Sequence, residues 1–424
     1  MSVPSVALSR NRNYQLLWVS QVLSGIGLSA AVLAFPLLVL ALTGSAAASG
    51  LVLGTIAAAQ LLAGLPAGAL VDRWNRKKIM LSCEAIQVVA AVSLVAALWW
   101  DKAQVAHLVV VAAVMGVCGA LFRPAEDACL PGVVPAQQLS TAVALNAARG
   151  SVAQLSGTAA GGFLFAVGRF VPFVADALAH AVACALLVFL RLPSREVQPT
   201  PARHVGREIM AGLQWVWGRR HIRVTAVCAL VLNLFFSAFF LIVIVLAAGR
   251  GVPSGQIGIM AAMLGVGGLL GALVAARLSQ LISPYASIIA VFWGMAVFTP
   301  VAAFVHSGYA LGALFAVMAL LPATANTTII TGQLLLTPDE LRGRQSSVLG
   351  ILTGLAAALG PVLGGLLATA VSGPVAVLVC AGGIAAAAVV ATISPSLRGF
   401  PRHPAVTQPP QAISELQTDQ HRSS

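Results

Sequence analysis

The chain has 424 residues, 59% of them hydrophobic and only 8% charged, against roughly 25% charged in soluble domains, so a water-soluble globular fold is excluded. Its net charge of +12 sits between long apolar runs, a placement that argues against a nucleic-acid partner. Six cysteines (Cys83, Cys118, Cys129, Cys184, Cys228, Cys380) are scattered through those runs without CxxC spacing, which supports neither a disulfide framework nor a metal site.

In chain order, Met1–Asn13 is polar and the first apolar run is too long for the core of a signal peptide, so it is expected to act as an uncleaved insertion signal. Stretches able to cross ~30 Å of hydrocarbon lie at 15–42, 50–71, 79–100, 104–122, 140–167 and 171–190. Six more lie at 224–248, 256–276, 284–305, 309–333, 346–371 and 374–393. The predicted fold is an all-α membrane protein of twelve transmembrane helices in two pseudo-symmetric six-helix bundles, residues 1–190 and 224–393. The link at 191–223 reads as an extended connector, Pro193–Pro201, followed by an amphipathic helix. That helix places Ile209, Leu213, Val216 and Trp217 on one face, suited to lying on the inner leaflet; a plain charged linker is the alternative. The Pro-, Gln- and Ser-rich stretch 394–424 is expected to be a disordered cytoplasmic tail.

The two bundles share sequence. Gly64 and Gly68-Ala69-Leu70-Val71 match Gly267 and Gly271-Ala272-Leu273-Val274 at an offset of 203 (271 − 68), which sets Asp72 against Ala275. Gly157, Gly161, Gly162 and Leu164 match Gly360, Gly364, Gly365 and Leu367 at the same offset. Two parallel copies of one unit are a mark of secondary transporters. Of the 24 Lys and Arg, only Lys102, Arg169 and Arg250 fall in predicted outer segments and Arg149 within a helix. The positive-inside rule then puts both termini in the cytoplasm of a multi-pass protein of the inner (plasma) membrane.

Gly68-Ala69-Leu70-Val71-Asp72-Arg73-Trp74-Asn75-Arg76-Lys77-Lys78 closes the second span and opens the third. It resembles the signature loop of the major facilitator superfamily, with Asn75 for the usual second Gly, a residue that still permits a left-handed backbone. Leu17-Trp18 with Gln21 and Ser24, Phe122 with Pro124-Ala125, Leu130-Pro131 and Val134-Pro135 are similar to the exporter branch that includes macrolide efflux pumps and the enterobactin exporter. So are Asn146 with Arg149, and Pro338 with Arg342-Gly343-Arg344. The resemblance implies that Asp72, Arg73 and Arg76 form a charge relay with Glu126 or Asp127. Asp72 would also meet the start of the eleventh span near Gln345, closing the cytoplasmic side. Departures are Leu28 and Gln87, where many relatives carry an acid and an Arg, and Thr158, where the antiporter motif has a Pro that the eleventh span keeps as Gly360-Pro361.

Ionisable groups within a membrane are costly and are functional candidates by default. Glu84, Arg149, Asp176 and His180 are the set here, with Gln21 and Asn146 as polar cavity candidates. Either Glu84 or Asp176 could exchange a proton; pairing among these residues for purely structural reasons is equally open. His107, His306 and Trp99-Trp100 read as interfacial. Gly157, Gly161, Gly162, Gly360, Pro361, Gly364 and Gly365 are expected to form the rocking contact between the bundles, or else ordinary tight packing. No Walker A loop or nucleophile–base constellation is present, so no enzyme and no cofactor is expected. The favoured function is proton-driven efflux of a moderately hydrophobic organic compound by a monomer that needs only protons, cargo and lipid; an importer or non-pumping sensor of the same fold is the alternative.

Overall fold

The computed structural model describes residues 7–192, 205–337 and 339–398; Pro193–Pro201, Pro338 and the stretch beyond residue 398 lie outside them. The first half consists of α1 (Arg12–Thr43), α2 (Ala46–Arg73), α3 (Arg76–Trp99), α4 (Val105–Val133), α5 (Leu139–Val167) and α6 (Val171–Val188). A short α7 (Val205–Gly218) leads into α8 (Arg220–Gly249), α9 (Ser254–Leu281), α10 (Pro284–Phe298), α11 (Gly308–Leu336), α12 (Asp339–Ala370), α13 (Gly373–Ile393) and the one-turn α14 (Pro395–Arg398). Side chains cap the tight entries: Asn11 accepts from the Tyr14 amide, Ser45 from Ala48 and Asn75 from Lys78, each at 3.1 Å. Asn75 is therefore an extended N-cap with φ −68° and not a left-handed turn residue.

Among the described residues, eleven helices are long and apolar enough to cross a membrane. The twelfth, α5, is 29 residues long but diluted by Asn146, Arg149, Ser151, Gln154, Ser156 and Thr158. Polar residues are tolerated there because α5 packs between α1 and α9 and faces the space between the halves. The fourth span runs further than its apolar stretch, through Pro124 and Pro131 to Val133. Glu126 and Asp127 consequently sit inside a helix.

The halves are structural repeats, with one register correction. The buried positions 79, 80, 83, 84, 87, 91 and 94 of α3 recur at 287, 288, 291, 292, 295, 299 and 302 along α10 and the 3-10 turn after it, a shift of 208 (292 − 84). Those of α6 at 173, 176, 177, 180, 183 and 187 recur on α13 at 377, 380, 381, 384, 387 and 391, a shift of 204 (380 − 176). For α5 and α12 the shift of 203 holds. For α2 and α9 it does not: both are 28 residues long and start 208 apart (254 − 46), so Asp72 corresponds to Gln280 and not to Ala275. The Gly-Ala-Leu-Val match is a coincidence of composition. Gly271 packs against Leu320 of α11, whereas a side chain at Gly68 would meet open space.

Small residues set the contact between halves more sparingly than the sequence suggests. Gly162 lies against Ser254 and Gly258 of α9, while Gly365 lies against Ala46 and Ala47 and Pro361 against Gly50 of α2. These three face the other half. Gly157 and Gly161 instead lie on Ile26, Ser29 and Ala30 of α1, and Gly360 and Gly364 on Leu234, Ser237 and Ala238 of α8, within their own halves. A glycine there lets two helix backbones approach closely.

Among the described residues, the inter-half approaches of this kind lie towards the end of the bundle opposite the Asp72 loop. The deepest towards the loop end are Leu61 with Gly354 and Leu155 with Gly265; beyond them Gly64, Gly68, Gly150, Gly268 and Gly350 would each present a side chain to open space. Val143, Leu145 and Val152 of α5 are exposed. The halves thus touch at one end and stand apart at the end that carries Asp72. At that end α7 packs on α12, with Gly212 against the Arg344 carbonyl and Val216 buried beside Val348. Met210, Leu213 and Trp217 remain exposed on another face. The amphipathic helix exists, but Val216 serves a protein contact and not a lipid one, and the Ile209 side chain lies outside what is described.

Candidate functional site

The first half buries an ionisable cluster between α1, α3 and α6. Glu84 sits about 12 Å into α3 at ~1.5 Å per residue, and its Oε2 lies 2.5 Å from His180 Nδ1. His180 Nε2 stands 3.3 Å from Asp176 Oδ1 one turn back on α6, within ion-pair reach but not aligned as a hydrogen bond. Gln21 of α1 donates to Glu84 Oε1 at 3.4 Å. Glu84, Asp176 and His180 are 1%, 3% and 2% exposed. Gln87, one turn along α3, is buried with its Oε1 unpartnered. Separate residues in the sequence therefore become one unit in which a single imidazole bridges two carboxylates. Unpaired charges are costly to bury, and these three ionisable groups lie in contact with one another inside apolar helices.

Arg149 does not join that cluster. It donates to Glu126 Oε1 at 2.7 Å, both side chains being about nine-tenths buried. The Tyr14 hydroxyl and Asn146 Oδ1 lie 3.5 Å apart nearby. This corrects the relay: Glu126 pairs with Arg149, because α4 continues past Pro124 and turns Glu126 towards α5. Arg76 donates to the Ala128 carbonyl at 2.6 Å. Asp72, Arg73 and Asp127 are exposed, and Asp72 forms no hydrogen bond or ion pair among the described residues. Gln345, buried, bonds Thr337 at 2.5 Å. With the halves apart at this end, Asp72 has nothing to meet. Asp72→Asn is expected to leave the thermal melting of the purified protein unchanged while removing most transport, since Asp72 has no contact to lose among the described residues; a lowered melting temperature would contradict that division.

His107 Nε2 lies 3.0 Å from the Ser93 hydroxyl, while His306, Trp99 and Trp100 are exposed. Sequence reasoning missed a half-open cavity of about 270 Å³ in the second half, bordered by α8, α10 and α11 and lined by Ala229, Asn233, Phe292, Met295 and Asn326, the two asparagines being exposed. Two asparagines within apolar helices were the available signal.

The chain matches the family model described as transmembrane secretion effector over residues 4–420. It is 29% identical over 373 residues to the multidrug efflux pump Tap of Mycolicibacterium fortuitum, covering 82% of this chain and 87% of that one. It is 27% identical over 127 residues to macrolide efflux protein A of Enterococcus faecalis, covering 30% and 39%. Among solved structures it resembles the nucleoside transporter NupG (TM-score 0.73, 12% identity, 92% of this chain and 100% of that one). A bacterial homologue of the human lysosomal transporter Spinster, inward-facing and unoccupied, gives a TM-score of 0.71 at 16% identity, covering 92% and 98%. A full-length family match, two six-helix repeats and efflux pumps among its relatives agree: the chain belongs to the transmembrane secretion effector family of the major facilitator superfamily and is a membrane transporter, not an enzyme.

Proposed function

We propose that the protein is a proton-driven exporter of a moderately hydrophobic organic compound, working by alternating access. The observation that carries this reading is the buried Glu84–His180–Asp176 unit, three ionisable groups in contact within membrane-spanning helices, a setting suited to carrying a proton. The basic loops support a cytoplasmic position for the Asp72 end and both termini; with that orientation the halves are open inward, the state that would receive cytoplasmic cargo. No ATP-binding loop occurs in the sequence, which leaves an ion gradient as the energy source. Closing the inner side would bring Asp72 to the positive start of α12 and release the contacts at Gly162, Pro361 and Gly365, switching access to the outside. The relatives named as efflux pumps support the direction. Cells expressing the protein should accumulate less of a lipophilic dye than control cells, and an uncoupler should abolish the difference. Unchanged or increased accumulation across a broad compound panel would turn the reading to an importer or sensor.

A further inference from the structure

The cavity of about 270 Å³ in the second half occupies the place that the ionisable cluster holds in the first. At the α3-to-α10 shift of 208, Glu84 becomes Phe292 and Gln87 becomes Met295. The shift also relates α1 to α8, where Gly161 over Ala30 is mirrored by Gly364 over Ala238, and there Gln21 becomes Ala229. Ala229, Phe292 and Met295 all line the cavity. On α13, at a shift of 204, Asp176 becomes Cys380 and His180 becomes Ile384, both buried. Every ionisable or amide group of the first site has thus been replaced by a side chain without a charge or an amide, and room has opened beside them. Among the described residues, no Asp, Glu, Lys, Arg or His lines that room. Two amides do: Asn233 donates its Nδ2 to the Ala229 carbonyl at 2.8 Å, which leaves Oδ1 as an acceptor, and Asn326 makes no hydrogen bond among the described residues. Asparagine is a poor helix interior residue, and a polar side chain within a membrane span marks a site or a pathway. Leu397 of α14, fully buried, lines the cavity beside Cys228 and Ile288.

We propose that this cavity is the cargo site and that it takes an uncharged, largely apolar small molecule with at least one hydrogen-bonding group, while the first half carries the proton. The proposal rests on the exporter reading for its direction but not for its binding chemistry. The full-length protein in lipid nanodiscs is titrated with the neutral fluorophore N-phenyl-1-naphthylamine. Saturable binding is expected, weakened about tenfold or more by Ala229→Phe, which fills the cavity, and by Asn326→Leu, which removes an amide, each with wild-type melting. Glu84→Gln should bind like the wild type, and the permanent cation tetraphenylphosphonium should not displace the probe. Equal binding by both variants, displacement by the cation, or no saturable binding at all, as when a lipid chain fills the cavity, overturns the proposal. If binding behaves as expected but expressing cells extrude nothing, the exporter reading fails and the site stands. If cells extrude the fluorophore equally well with either variant, the site fails and the exporter reading stands.

Discussion

Glu84→Gln is expected to abolish uncoupler-sensitive pumping while leaving cargo exchange across the membrane intact. The substitution keeps the shape of the side chain and its reach to Gln21 and His180 but removes one of two carboxylates. What is left is Asp176 facing His180 alone, one carboxylate fewer to take up a proton. A pH gradient of one unit supplies ~1.4 kcal/mol per coupled proton and supports about a tenfold concentration ratio. That ratio should collapse to unity in the variant. Counterflow of labelled cargo in proteoliposomes without a gradient should persist, at a rate that no longer varies with pH. Asp176→Asn should act in the same direction, because the same imidazole faces both acids. Gradient-driven accumulation that survives both single substitutions would remove the cluster from the coupling mechanism.

The second large effect concerns folding. Arg149→Met leaves Glu126 buried beside α5 without its cation, and breaking a buried pair from one side is destabilising by about 3–5 kcal/mol. Glu126→Gln alone strands the guanidinium in the same way. The double variant Glu126→Gln/Arg149→Met removes both charges, and replacement of a whole buried pair is often neutral. Unfolding of the purified protein in detergent should therefore show two damaged single variants and a double variant close to the wild type. Strict additivity of the two losses would mean that each side chain has other partners and that the 2.7 Å contact contributes little.

Much of this protein was legible in its sequence because the lipid bilayer imposes a one-dimensional rule. A span must be long and apolar, and basic residues stay on one side, so the bundles, their repetition and the family could be read without coordinates. The span at 140–167 was read despite its polar residues, and α5 accommodates Asn146 and Arg149 where protein and the space between halves take the place of lipid; the rule stopped short at the end of α4, where the helix carrying Glu126 continues through two prolines. The individual candidates Glu84, Asp176 and His180 were visible as intramembrane ionisable residues. Their union was not, since 96 residues separate Glu84 from His180 and only the packing of α3 on α6 makes one imidazole serve two acids.

Glycines show the division most plainly. Sequence by itself determined that α5 and α12 carry matching small residues, because composition and spacing are local properties. Which neighbour each glycine meets is a property of helix rotation: Gly161 faces α1 and Gly162 faces α9, although they are adjacent in the chain. Successive positions on a helix turn by ~100°, at 3.6 residues per turn, so adjacent glycines address different partners, and only the tertiary structure decides which one holds a half together and which one parts when the halves rock.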